Sequence, residues 1–167
     1  NIVDLRTKKY HTTIKTNFED IFSLCFSPDG KLLAANGGSI GGCVKIYNIN
    51  GTKVADFDGS SWTGLCYSEN SELIAYCSES PIKGTVLHVG DVSSRHSIKS
   101  RTTNLRNSVS TIDWIKTHIV LGGYIKKILV WDFVLDDVWE SPETYDCVKK
   151  VSFFTETLFF VVYKSSI

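Results

Sequence analysis

The chain has 167 residues, 43% of them hydrophobic and 22% charged, and its 18 basic and 18 acidic side chains cancel. That balance excludes wholesale disorder, and neutrality removes any global reason to expect nucleic acid or an anionic membrane surface as partner. No apolar run approaches the ~20 residues needed to span a bilayer, so no membrane insertion is expected.

The predicted elements, in chain order, are β-strands. Asn1–Thr16 reads as two strands that end a four-stranded unit begun elsewhere. Ile21 to Ser27 is an aromatic and apolar strand, and Pro28-Asp29-Gly30 makes a tight turn, since Pro presets φ and Gly accepts a positive one. Lys31 to Ala35 returns. Cys43 to Ile49 alternates, with Val44 and Ile46 on one face and Lys45, Tyr47 and Ile49 on the other. Thr52 to Phe57 closes that unit. The same texture recurs from Trp62 to about Ser100 and from Val109 to about Tyr145. Lys149 to Phe154 and Leu158 to Tyr163 then open a further unit. No stretch of a dozen residues shows capped helical periodicity.

Two landmarks recur in phase. An apolar residue, a variable one, Asp or Asn, then another apolar residue occur at Ile2-Val3-Asp4-Leu5, Ile46-Tyr47-Asn48-Ile49, Val89-Gly90-Asp91-Val92 and Val130-Trp131-Asp132-Phe133. The polar positions 4, 48, 91 and 132 are 44, 43 and 41 apart. Aromatics at Phe26, Tyr67, Trp114 and Phe153 form a second series. A four-stranded antiparallel sheet cannot bury both of its faces alone, and radial stacking solves this. A period of ~40–45 residues holding four strands has the length of one propeller blade.

On these residues the chain resembles WD-repeat β-propellers. Trp131-Asp132 matches the signature dipeptide, while Tyr47-Asn48, Gly90-Asp91 and Val3-Asp4 hold its place in weaker form. Phe26-Ser27-Pro28-Asp29-Gly30-Lys31-Leu32-Leu33-Ala34 resembles the first hairpin of such a blade. Two departures mark it as divergent: no Gly-His dipeptide precedes a first strand, and Gly37 to Gly42 and Gly122 to Lys127 lack the usual turn Asp. The family's internal polar network is therefore expected to be depleted. The resemblance implies an all-β fold, a β-propeller of four-stranded antiparallel blades with about four blades' worth of sequence. The expected divisions are a half blade over 1–16, blades over 21–58, 62–100 and 109–145, and a half blade over 147–167. Half blades at the two ends could pair to close a small four-bladed ring. A stretch of a larger ring is the favoured expectation, because propellers of this family usually have seven blades. The chain opens on Asn1 and contains no Met, so a processed or trimmed product is expected; no signal peptide or targeting segment opens this sequence, which says little where the true N-terminus is missing.

The function implied is a non-catalytic protein–protein interaction scaffold within a larger assembly. An RNA-associated propeller is the alternative, and a propeller-based enzyme a third. Cys25, Cys43, Cys66, Cys77 and Cys147 are odd in number and form no Cys-x-x-Cys pair, so they read as reduced structural residues of an intracellular protein, in cytoplasm or nucleus. His11, His88, His96 and His118 lack metal-ligand spacing, and no Gly-x-Ser-x-Gly elbow is present. Gly37 to Gly42 runs into a strand rather than a helix, which removes a phosphate cradle. No metal, cofactor or small-molecule substrate is expected.

Asp113, on a predicted first strand, is expected to approach the central channel. Arg95, His96, Lys99, Arg101 and Arg106 form a basic run, and Asp132, Asp136, Asp137, Glu140, Glu143 and Asp146 an acidic one. These read as two solvated edges or as two partner-facing patches; Arg101 and Arg106 would be the RNA contacts. Glu19, Asp20, Trp62 and Tyr124 fall on connections that the resemblance places on the narrower top face, where peptides dock. They are the candidate partner-binding residues, since Trp and Tyr are strong interface anchors.

Overall fold

The computed structural model describes residues 1–38, 42–59, 63–80, 84–103, 105, 109–124, 126–144 and 146–164. Among these residues, sixteen strands make five antiparallel sheets. The first is β1 (Ile2–Asp4) with β2 (Lys9–Thr12). The second runs β3 (Ile21–Phe26), β4 (Leu32–Gly37), β5 (Cys43–Asn48), β6 (Lys53–Asp58). The third runs β7 (Leu65–Tyr67), β8 (Leu73–Ser80), β9 (Gly84–Asp91), β10 (His96–Thr102). The fourth runs β11 (Val109–Ile115), β12 (His118–Gly123), β13 (Leu129–Asp132), β14 (Asp137–Glu140). The fifth is β15 (Val148–Thr155) with β16 (Leu158–Tyr163). Each sheet meanders in sequence order, so every strand pairs with its chain neighbour.

The Asp/Asn series works as the anchor of each third-to-fourth strand turn. Asp4 Oδ1 accepts from the Arg6 N–H at 2.8 Å, Asn48 Oδ1 from Thr52 at 2.9 Å, Asp91 Oδ1 from Ser94 at 2.7 Å, and Asp132 Oδ1 from Val134 at 2.9 Å. A residue in the left-handed region then reverses the chain: Lys8, Gly51, Arg95 and Asp136. Short polar side chains tie local backbone down in this way, which is why only Asp or Asn fills the position. These donated N–H bonds also hold Asp4, Asp91 and Asp132 below the usual carboxylate range.

The first hairpins have a second anchor. Ser27 Oγ donates to Asp29 Oδ1 at 2.6 Å and accepts from the Leu32 N–H at 2.9 Å. Ser68 repeats this, donating to Asn70 Oδ1 at 2.7 Å and accepting from Leu73 at 3.0 Å. The Asp29 N–H donates to Ser71 Oγ at 3.1 Å, which links one hairpin to the next.

The sheets stand side by side through their first strands, β3 on β7, β7 on β11 and β11 on β15. Apolar side chains between them form three cores, each shared by two sheets. Val44, Ile46 and Phe57 meet Leu65, Ile74 and Tyr76 in one. Leu87 and Val89 meet Trp114, Leu121 and Trp131 in the next, and Val120 and Ile128 meet Val148 and Val151 in the last. Inner sheets are thus covered on both faces. On β5, Val44 and Ile46 enter the core shared with the next sheet, while Tyr47, on the other face, is buried too.

Closest approach falls where side chains are missing. A Cβ on Gly90 would come within 2.7 Å of the Phe57 ring, and one on Gly122 within 2.7 Å of Val148. Among the described residues, the two end sheets, β1–β2 and β15–β16, do not pair with each other.

Candidate protein-interaction surface

Strand pairing fixes which connections share an end of the fold. Ile21 faces Gly37, Gly37 faces Cys43, and Cys43 faces Asp58. Val109 likewise faces Gly123, and Leu129 faces Glu140. The segments entering first strands therefore lie at the same end as the connections from second to third strands. Glu19 and Asp20 enter β3, and Tyr124 follows β12. All three are exposed, Tyr124 at 65%. Trp62 and Arg106 lie outside the described residues.

The segment carrying Glu19 and Asp20 is held by contacts that the sequence reading missed. Lys45 Nζ donates to the Thr16 carbonyl at 2.8 Å and sits 4.1 Å from the centroid of the Phe18 ring. The Tyr47 hydroxyl also donates to the Thr16 carbonyl, at 3.4 Å. Phe18 lies against the bare backbone of Gly37, and the Gly38 N–H donates to the Asp20 carbonyl at 3.1 Å. A cation over an aromatic face, with two donors on one carbonyl, pre-orders the segment before any partner arrives. At Tyr124, the backbone carbonyl accepts from Cys147 Sγ at 3.3 Å, while the ring stays in solvent.

Arg101 sits elsewhere. Its guanidinium lies 3.0 Å from Asp136 Oδ1 and donates to the Asp136 carbonyl at 3.0 Å, at the β13–β14 turn. Lys99 Nζ donates to the Phe133 carbonyl and lies 3.8 Å from the same carboxylate. Asp136 Oδ1 also accepts from Trp131 Nε1 at 2.9 Å. Its carboxyl is held below the usual range by that indole bond, with Arg101 and Lys99 adding to the effect. The basic and acidic runs of the sequence thus meet at Asp136 across two sheets. Sequence order hid this, because 35 residues separate Arg101 from its partner.

Asp113 is paired between two first strands. Its Oδ2 accepts from Ser152 Oγ and from the Phe153 N–H, each at 2.7 Å, and its Oδ1 from the Trp114 N–H at 2.9 Å. The carboxylate stitches β11 to β15, two first strands. A second buried polar contact ties β4 to the segment that enters β7. Asn36 Nδ2 donates to the Thr63 carbonyl at 2.8 Å and to Thr63 Oγ1 at 2.9 Å, all buried.

Among the described residues, no three His, Cys, Asp or Glu side chains converge as a metal site would require. No described helix is long and apolar enough to cross a membrane. The five cysteines are free thiols; burial raises Cys66 and Cys77 above the ordinary thiol range, so neither is a ready nucleophile.

No family model matches the sequence, and none of the curated proteins does. Among solved structures, the crystal structure of the WD40 repeats of RRP9 matches with a TM-score of 0.67 and 13% identity. The match covers 83% of this chain and 43% of that one, so the chain spans less than half the length of its structural neighbour. At that identity the likeness speaks for architecture alone. Joined to the phased turns and the four-stranded meanders, it shows that the chain has the fold of a stretch of β-propeller, similar to that of WD40 repeats.

Proposed function

We propose that the chain is a non-catalytic docking scaffold that presents the strand-end surface bearing Glu19, Asp20 and Tyr124 to other proteins. The observation that carries this reading is the Phe18–Lys45–Thr16 clamp. It holds two exposed carboxylates in a fixed place beside a rigid sheet, on the same side as an exposed tyrosine. A pre-ordered acidic and aromatic surface suits a basic, partly apolar peptide. Trp62 joins the proposal on its sequence position. The RNA-associated reading has weaker support, because Lys99 and Arg101 are already engaged with the β13–β14 turn.

The test is affinity capture from cells with the wild-type chain and with Glu19→Lys, Asp20→Lys, Tyr124→Ala combined. All three side chains are exposed, so the variant should melt with the wild type. Partner recovery is expected to fall at least tenfold. Unchanged recovery by a folded variant would refute the reading.

A further inference from the structure

Residues 13–20 connect β2 to β3 and belong to no strand. The connection runs along the sheet β3–β6. Thr12 to Ile14 lie against Gly51, Thr16 beside Lys45 and Tyr47, and Phe18 against Gly37. Thr16 is half-buried, while Asn17, Glu19 and Asp20 are exposed. Asn17 enters the left-handed region, with φ at 55°, and the Phe18 N–H donates to Thr16 Oγ1 at 3.3 Å. The Thr16 hydroxyl thus stands at a kink in a connection outside any ladder. Detaching it gives up that bond and two side-chain bonds to the Thr16 carbonyl, but no strand pairing.

Carboxylates follow this hydroxyl at the third and fourth positions, Glu19 and Asp20. Acid-directed protein kinases choose their acceptors by that charge pattern, because basic groups beside their active site pair with carboxylates downstream of the hydroxyl. Among the serines and threonines of the sequence, Ser110 is the other one with a carboxylate three residues on. Ser110 lies within β11, and its carboxylate, Asp113, already accepts from Ser152, Phe153 and Trp114. A kinase has to draw the acceptor segment into its own cleft, which the Thr16 connection permits and a strand inside a sheet does not. A cation also stands ready for the product. Lys45 Nζ donates to the Thr16 carbonyl at 2.8 Å, so a phosphate on the same residue lies within its reach. Lys45 is engaged by a carbonyl and the Phe18 ring, both weaker partners for an ammonium than a phosphate dianion.

We infer that Thr16 is a phosphorylation site for an acid-directed Ser/Thr kinase and that Lys45 holds the phosphate. The Thr16 hydroxyl oxygen attacks the γ-phosphorus of a nucleoside triphosphate. The new O–P bond replaces the bond to the bridging oxygen, the nucleoside diphosphate leaves, and the hydroxyl proton passes to the catalytic Asp of the kinase. The product adds a charge of about −1.5 to −2 three residues from Glu19. Lys45 stays tied to the same residue, so the connection keeps its place while its surface becomes more acidic. The consequence for binding rests on the docking reading: the modified surface takes a basic peptide more tightly.

The purified chain is incubated with an acid-directed kinase and ATP, and the phosphate is mapped by peptide mass spectrometry. It is expected on Thr16. Thr16→Ser should keep the labelling, and Glu19→Gln with Asp20→Asn should slow it about tenfold by removing the charge pattern. Phosphorus NMR should place the second ionisation of the phosphate at lower pH in the wild type than in Lys45→Met, since a nearby ammonium favours the dianion. No phosphate on Thr16, or a rate indifferent to Glu19→Gln with Asp20→Asn, overturns the site; equal ionisation in the two chains overturns the part of Lys45. A fluorescent peptide of Lys, Arg and Trp should bind the phosphorylated chain about threefold more tightly than the unmodified one. If it binds the unmodified chain better than the Glu19→Lys, Asp20→Lys, Tyr124→Ala variant but ignores the phosphate, the regulatory consequence is overturned and the docking reading is kept. If it does not distinguish that variant from the wild type, the docking reading fails, and labelling at Thr16 still decides the site.

Discussion

His88 shows how a single side chain reports its burial. Its Nε2 lies 2.7 Å from Ser78 Oγ, and its ring stacks on Tyr76 with centroids 5.0 Å apart. Nδ1 is buried without a protein partner, so protonation would leave a second N–H unbonded. Burial lowers its pKa below the ordinary 6.5. The unfolded chain then binds more protons than the folded one as pH drops below about 6.5, and stability falls with it. We expect the thermal midpoint to decline between about pH 7.5 and 5.5, and His88→Gln to flatten that decline; an equal slope in both would show that other groups carry it. A histidine without ligand spacing was legible in the sequence as structural. Its partners were not, because Ser78 reaches it from the neighbouring strand.

At the scale of the element, glycine decides how near the sheets can come. Gly90 occupies the position that Trp131 fills in the following repeat, and the reason is spatial. Phe57 of the preceding sheet lies where a Cβ would be. Gly90→Ala should cost about 1–3 kcal/mol as the ring is displaced, measurable by urea unfolding. A neutral result would mean the Phe57 ring moves freely. The weak signature dipeptide at 90–91 is thus compensated from the sheet before it: the Asp/Asn half keeps its turn duty, and the aromatic half is supplied by Phe57. Turn anchors were readable because their bonds span two to four residues. The Asp113 bridge was not, since Ser152 and Phe153 lie 39 and 40 residues away.

In the whole molecule, the sheets pack chiefly on their neighbours, so stability grows with the number of flanking sheets. The sheets β7–β10 and β11–β14 have a neighbour on both faces, while β1–β2 is mostly exposed. Amide exchange should therefore be slowest in β8, β9 and β12 and fastest in β1 and β2. Uniform protection along the chain would instead indicate one cooperative unit. By itself, the sequence determined the strand order, the repeat length and the turn chemistry, because all three rest on bonds and alternation within one period. Only the tertiary structure decided which charges cancel and which groups Asp113 is bonded to. Those outcomes depend on which sheet faces which, and that relation lies between periods rather than within one.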